Sequence, residues 1–220
     1  MEIVQELAKC SSRQKAETSA KFFKTGKGEY SEGDVFIGVT VPEQRKIAKK
    51  YADLPINEIS KLLNSKVHEH RMTGLIILTE RYRKTKDEKI AEFYFSNTKH
   101  INNWDLVDVS APIIAGPHTR KLNELAESKD LWEKRIAIVG TLYGIRNGEF
   151  GQTLRIAEKY IDDKHDLIQK ATGWMLREAG KKDEKVLTDF LDEHYKKMPR
   201  TMLRYSIERL NAEQKKRYMK

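Results

Sequence analysis

The stretch from Asn102 to Asp108 is the most unusual part of the chain, because it places an indole and a carboxylate one helical turn apart. Trp104 and Asp108 are four residues apart, so a helix presents both side chains on one face. An aromatic face can hold an electron-deficient sugar while a carboxylate offsets positive charge at the anomeric carbon. The alternative is that Trp104 is a core residue and that Asp105 or Asp108 is an ordinary helix acid. Taken alone, the local sequence favours this alternative.

A second stretch combines an aromatic residue with two cations. Trp174, Arg177 and Lys181 follow one another at spacings of three and four, so they share a helix face that suits a sugar-phosphate backbone. Gly173 inside this helix costs about 1 kcal/mol relative to Ala, which indicates close approach by another helix or by a ligand. In the opposing interpretation Trp174 is buried and Arg177 pairs with a local carboxylate.

Two further arginines are candidates for binding phosphate. Arg135 is interpreted either as a phosphate clamp or as a salt-bridge partner. Arg45 lies just after Pro42, where a helix begins whose free N–H groups could bind a phosphate. On local evidence, an ordinary helix start is the favoured interpretation at Arg45.

Other kinds of site are poorly supported. Gly26 and Gly28 lack the strand and the downstream motif of a phosphate-binding loop. His68 and His70 are two residues apart and diverge on a helix, and the six histidines show no metal-site spacing. The single cysteine, Cys10, excludes an intramolecular disulfide and a cysteine-based zinc cluster. We expect no metal.

The composition predicts a soluble, basic protein. Of the 220 residues, 42 are Lys or Arg and 33 are Asp or Glu, giving a net charge of +9. This excess favours a polyanionic partner, nucleic acid first and an anionic membrane second. The N-terminus has no signal-peptide pattern, and no apolar run approaches the roughly 20 residues of a membrane span. We therefore expect a cytoplasmic protein that does not enter the membrane.

Apolar residues recur at spacings of three and four almost throughout, which predicts roughly a dozen or more helices of about 8 to 16 residues. The strand-like run 34–41 stands alone and is interpreted as an extended lead into the helix at Pro42. Breaks between helices are predicted at several points: Leu54-Pro55, Asn64-Ser65, Asn147-Gly148, Asp162-Asp163, Gly180-Lys181 and Met198-Pro199.

A faint internal repeat accompanies these helices. A charged residue followed by small and apolar residues begins similar segments, with successive starts 34, 30, 35 and 30 residues apart: Arg71, Asp105, Arg135, Lys170 and Arg200. This spacing is typical of stacked helix pairs in a solenoid. An irregular helical bundle is the alternative. In a solenoid, the second helix of each pair lines a concave side, where the basic and aromatic residues would face one groove.

With these stretches in view, the chain resembles the AlkD family of DNA alkylation-repair glycosylases over nearly its whole length. The resemblance rests on four elements taken in order: Phe36-Ile37-Gly38-Val39 with Pro42, Arg45 and Ala48-Lys49; Asn102-Asn103-Trp104-Asp105-Leu106-Val107-Asp108; Trp132-Glu133-Lys134-Arg135-Ile136-Ala137; and Gly173-Trp174-Met175-Leu176-Arg177-Glu178. The resemblance implies an all-α fold, a curved right-handed solenoid of HEAT-like antiparallel helix pairs. This would be one domain over residues 1–220 with a concave DNA-binding groove.

The resemblance also implies an activity. Members of the family hydrolyse the N-glycosidic bond of cationic 3- and 7-alkylpurines in double-stranded DNA, without a metal or cofactor and without flipping the lesion into a base-shaped pocket. Trp104 and Trp174 would pack against the lesion's deoxyribose, with Asp108 beside the anomeric carbon. Arg135, Arg177 and Lys181 match positions that approach the DNA backbone. We expect a monomeric, monofunctional glycosylase of base excision repair, in which Asp105 matters far less than Asp108.

Two other functions fit the same composition. One is a helical-repeat protein that binds bent or damaged DNA without cutting it, which would have no need of Asp108. The other is a protein-interaction scaffold, which is common among helical solenoids and predicts no salt-sensitive affinity for DNA.

Overall fold

The computed structural model describes residues 1–219, and within them the chain forms fifteen α-helices, one short 3-10 turn and no strand. The helices are α1 Glu2–Lys9, α2 Arg13–Phe22, α3 Val41–Lys50, α4 Ile56–Leu63, α5 His68–Thr85, α6 Glu88–Ser96, α7 Trp104–Ile114, α8 Thr119–Ala126, α9 Leu131–Gly140, α10 Leu142–Arg146, α11 Gly151–Lys159, α12 Asp166–Lys182, α13 Glu184–His194, α14 Arg200–Ser206 and α15 Ala212–Tyr218, with the 3-10 turn at Thr98–His100. The prediction of an all-α protein is confirmed. Helix lengths run from 5 residues in α10 to 18 in α5, a wider range than the one predicted.

Most predicted helix boundaries are confirmed. α3 begins at Val41 with a capping box between Thr40 and Glu43, and α4 follows Pro55 directly. The break predicted at Gly180-Lys181 is wrong, because α12 continues to Lys182 and the side chain of Asp183 then caps α13. Gly180 is tolerated in the interior of α12 and does not end the helix.

The run before α3 is extended, as expected. Its only pairing among the described residues is an isolated parallel bridge between Val35 and Val67. Its end is held instead by the buried carboxylate of Glu69, which accepts hydrogen bonds from the backbone N–H groups of Ile37 and Gly38, at 2.7 Å for Gly38. The carboxylate thus satisfies donors that a sheet would otherwise take.

The five starts of the internal repeat all fall near the beginning of a helix. Asp105 and Arg200 lie at the second and first residues of α7 and α14, and the other three lie within the first five residues of α5, α9 and α12. The repeat in the sequence therefore marks recurring helices, with one to two helices between successive members.

Two compact units divide the chain, Met1–Ser110 and the residues from Ala111 onward. In the first unit α3 and α4 both pack on α5, which is buried along most of its length. In the second unit α8 packs on α9, and α12 packs on α9, α13 and α14 around a core that includes Leu176, Leu191 and Met202. Among residues 1–219, no helix combines the length and apolar character that a bilayer crossing needs.

Candidate functional site

The first turn of α7 carries the predicted Trp104, and its start is fixed by Asn103. The Asn103 side chain is fully buried; its Oδ1 accepts a hydrogen bond from the Trp104 backbone N–H at 2.8 Å. Its Nδ2 donates to Ser31 Oγ at 2.6 Å. Asn is a favoured residue at helix starts because its side chain satisfies backbone donors that have no helical partner. The helix predicted for Trp104 and Asp108 is therefore present and anchored.

Trp104 lies in a cluster of aromatic rings in the first unit. Its indole stacks on Phe23 with ring centroids 5.1 Å apart, and Phe23 stacks in turn on Phe36 at 5.0 Å. Phe36 stacks on the imidazole of His68 at 4.6 Å. Phe22 meets the edge of Trp104 at 5.9 Å and is itself 63% exposed, so one aromatic side chain next to Trp104 faces solvent. Stacked and edge-on rings at these distances stabilise one another and fix ring orientation.

Asp105 is part of a buried charge network. Its carboxylate contacts His68 Nε2 at 2.8 Å, and His68 Nδ1 faces Asp34 at 3.4 Å. Arg71 binds the other oxygen of Asp34 at 2.7 Å. Burial by itself lowers the pKa of His68, but the hydrogen bonds to Asp105 and Asp34 outweigh it and hold that pKa above its ordinary value. Burial conversely raises the pKa of Asp34, yet His68 and Arg71 bring it below its ordinary value.

Asp108 is half-buried on α7, one turn after the half-buried Trp104. The helix confirms the spacing from which a shared face was predicted. The roles predicted for Trp104 and Asp108 in chemistry remain predictions.

In the second unit Trp174 lies on α12 beside a shallow pocket of about 430 Å³, whose other lining residues are Leu142, Ile145, Arg146, Glu178, Lys181 and Lys182. The close approach predicted at Gly173 is confirmed. A Cβ at this position would lie 2.6 Å from Tyr205 Cβ and closer still to the carbonyl oxygen of Met202, both of α14. Gly173 thus allows α14 to pack tightly against α12, and the neighbour is a helix rather than a ligand.

The two cations that follow Trp174 are both paired. Arg177 forms an ion pair with Glu208 and contacts Glu178 at 3.6 Å, and its side chain is 18% exposed. Lys181 binds Glu178 at 2.7 Å and is half exposed. Carboxylate partners of this kind support the salt-bridge interpretation of Arg177. Contact of either residue with DNA stays a prediction.

Arg135 and Arg45 lie in contrasting environments. Arg135 on α9 is 5% exposed, and its guanidinium donates to the carbonyl oxygen of Leu167 at 2.9 Å. This contact favours a structural role over that of a phosphate clamp. Arg45 is exposed on α3, but Glu43 accepts the backbone N–H of Thr40 at 3.0 Å, so one donor predicted to be free at this helix start is already used.

The two neighbouring histidines have separate partners, as their spacing predicted. His68 contacts Asp105 and Asp34, whereas His70 Nδ1 contacts Ser65 Oγ at 2.9 Å. Within residues 1–219, no three His, Cys, Asp or Glu side chains lie close enough together to hold a metal ion.

Sequence reasoning missed several residues of the network around the start of α7: Phe22, Phe23, Tyr30, Ser31 and Asp34. Only the adjacent pair of phenylalanines carried a signal, since two consecutive aromatic residues at the end of an otherwise polar helix need an apolar neighbour.

Together, the helices and this site define an all-α protein with recurring helices and an aromatic and acidic face at the start of α7. The family described as DNA alkylation repair enzyme matches residues 3–210, and the chain belongs to that family. Among solved structures, the chain is similar in fold to a predicted DNA alkylation repair enzyme from Enterococcus faecalis. The two share 15% sequence identity with a TM-score of 0.73, over 92% of this chain and 97% of that one. A comparison with curated proteins finds no significant match.

Proposed function

We propose that this member of the DNA alkylation repair family is a monofunctional DNA glycosylase that hydrolyses the N-glycosidic bond of cationic alkylated purines. Its substrate would be double-stranded DNA containing bases of the 3-methyladenine or 7-methylguanine type. We further propose that it acts as a cytoplasmic monomer without a metal or cofactor.

The observation that carries the proposal is the placement of an indole and a carboxylate one turn apart at an anchored helix start. An alkylated purine already carries positive charge and leaves readily, so it needs little help from a general acid. The remaining barrier lies in an oxocarbenium-like sugar and in positioning a water molecule. The Trp104 ring would pack against the sugar, and the Asp108 carboxylate would offset the positive charge.

The charge of the chain supports DNA as the partner. A net charge of +9 favours a polyanion, and family membership makes that polyanion DNA. Arg45, Arg177 and Lys181 would each contact the backbone through phosphate oxygens. For Arg177 this requires exchange of its Glu208 partner for phosphate. Trp174 would pack against deoxyribose, as the resemblance implies.

Incubation of the protein with duplex DNA carrying a single 7-methylguanine tests the proposal. We expect free 7-methylguanine and an abasic site that alkali converts into a strand break, with no release from the matched unmodified duplex. Salt-sensitive binding of methylated DNA without free base would identify a non-catalytic DNA-binding protein instead. Absence of any salt-sensitive binding would favour a scaffold.

A further inference from the structure

Three consecutive residues at the start of α7 are each held by a side chain from elsewhere in the first unit. Asn103 Nδ2 donates to Ser31 Oγ, Trp104 Nε1 donates to Tyr30 Oη at 3.2 Å, and Asp105 binds His68 Nε2. Two of these three partners are neighbours in the loop between α2 and α3. The loop therefore contacts α7 at the residues that place Trp104.

The loop is braced by its own side chains as well. Glu29 accepts the backbone N–H of Gly26 at 2.8 Å, and Glu32 accepts that of Gly28 at 2.7 Å. Gly28 and Gly33 have positive φ angles, a conformation that glycine adopts without strain. Four residues after Tyr30, Asp34 joins the buried contact with Arg71 and His68. Tyr30 is thus presented by a loop whose turns on either side of it are held by side-chain contacts.

Two ring contacts and one hydrogen bond orient the Trp104 indole. Stacking on Phe23 sets the plane of the ring, but a ring can still slide or turn within that plane. The hydrogen bond from Nε1 to the Tyr30 hydroxyl removes this freedom because it is directional. A stack alone does not supply that restraint.

We propose that Tyr30 is a positioning residue that holds the Trp104 indole in the orientation needed to pack against the sugar of the lesion. The inference rests on the proposed function and adds to it a residue outside the motifs at the start of α7 and on α12. Tyr30 acts through Trp104 and takes no part in bond cleavage. Loss of its hydroxyl lowers the rate of base release because a misplaced group near the reacting centre costs rate without costing binding.

The substitution Tyr30→Phe tests the proposal, because it removes only the hydroxyl. In single-turnover assays on 7-methylguanine DNA, we expect base release to slow by roughly 3- to 10-fold, which corresponds to the net free energy of one hydrogen bond. DNA affinity should be unchanged. The matched control is Tyr94→Phe on α6, which removes a buried hydroxyl that bonds Ser110 of α7 at 3.1 Å. We expect Tyr94→Phe to lower stability while base release stays at the wild-type rate.

A second readout does not depend on activity. The indole N–H proton of Trp104, assigned by its loss in Trp104→Phe, should exchange slowly with solvent in the wild-type protein. In Tyr30→Phe its signal should shift and its exchange quicken, while Tyr94→Phe leaves it unchanged. An active wild-type enzyme whose Tyr30→Phe variant keeps the full rate overturns the proposal, whatever the indole signal does. If the wild-type protein releases no base, the proposed function fails, and the indole signal alone upholds or overturns the Tyr30 contact.

Discussion

The two tryptophans proposed to meet the lesion are held in different ways. The Trp104 indole in the first unit stacks on the Phe23 ring, and its N–H donates a hydrogen bond to the Tyr30 hydroxyl. Trp174 in the second unit lines an open pocket, and among residues 1–219 its indole has no hydrogen-bond or ring-stacking partner. The backbone beneath Trp174 is nevertheless fixed, because Gly173 lets α14 pack directly on α12. One indole is oriented through its own side-chain atoms, the other through the helix that carries it.

This difference predicts which substitutions will disturb the orientation of each tryptophan. Around Trp104, the sensitive group is the Tyr30 hydroxyl, whose loss we expect to release the indole while α7 stays in place. Around Trp174, the sensitive group is a glycine whose replacement moves a helix. Substitutions can separate the effect of side-chain contacts from that of helix packing, and the largest change in stability is expected for helix packing.

The first prediction concerns Gly173. Gly173→Ala forces a methyl group against Tyr205 and the Met202 backbone, so we expect a loss of about 1–3 kcal/mol in the free energy of unfolding, measured by urea titration. The control is Gly151→Ala at the first position of α11, where a Cβ would meet no atom within 4 Å. Helix propensity should make that variant as stable as the wild type or slightly more so. A Gly173→Ala variant as stable as Gly151→Ala would show that α12 and α14 pack less closely than described.

The second prediction concerns the pH dependence of the first unit. The pKa of His68 is raised above 6.5 in the folded protein, so its contribution to stability is complete below that pH and is lost as the pH rises through the folded pKa. The contribution of Asp34, whose pKa is lowered from 3.8, is lost only as the pH falls through its folded pKa.

The melting temperatures of the wild type and of His68→Gln should therefore differ most near pH 6 and converge as the solution becomes alkaline. Thermal scans from about pH 5.5 to 9 measure that difference. A constant difference at every pH would mean that the contacts with Asp34 and Asp105 do not raise the pKa of His68.

The third prediction concerns the cations of the second unit, for which we expect the smallest effect, a change in DNA affinity and in its salt dependence. Arg177→Ala should weaken DNA binding and lower the slope of log K against log salt by about one. Glu208→Gln should act in the opposite direction, because it releases Arg177 from its carboxylate partner. Arg135→Ala should weaken binding only through a loss of stability, because this arginine is buried and donates to the Leu167 carbonyl. If binding by both Arg177→Ala and Glu208→Gln equals that of the wild type at every salt concentration, Arg177 is purely structural.

The sequence predicted those parts of the site that depend on local spacing. Trp104 and Asp108 are one turn apart on a real helix, and Gly173 marks a close helix contact, because helical periodicity and glycine's missing side chain are local properties. The lead into α3 was predictable for the same reason, since an isolated strand has nothing with which to pair.

Contacts between distant parts of the chain could not be predicted. The hydroxyl of Tyr30 and the indole of Trp104 are 74 residues apart, and His68 and Asp105 are 37 apart. Neither pair has a motif, because partners brought together by tertiary packing need no fixed spacing. Asp105 shows the consequence. Positions three residues apart lie on neighbouring parts of one helix face, so spacing alone does not separate Asp105 from Asp108. The contact with His68 separates them, and because of it we expect Asp105→Asn to change the stability of the protein.

The most direct test of the account is single-turnover base release by Asp108→Asn on 7-methylguanine DNA, with DNA affinity measured in parallel. The substitution keeps the shape of the side chain and removes the charge that would act mainly in the transition state. We predict that release falls by at least about a hundredfold while affinity stays level or rises slightly, as one repulsion against phosphate is lost. A folded Asp108→Asn protein that releases base at the wild-type rate would contradict the account.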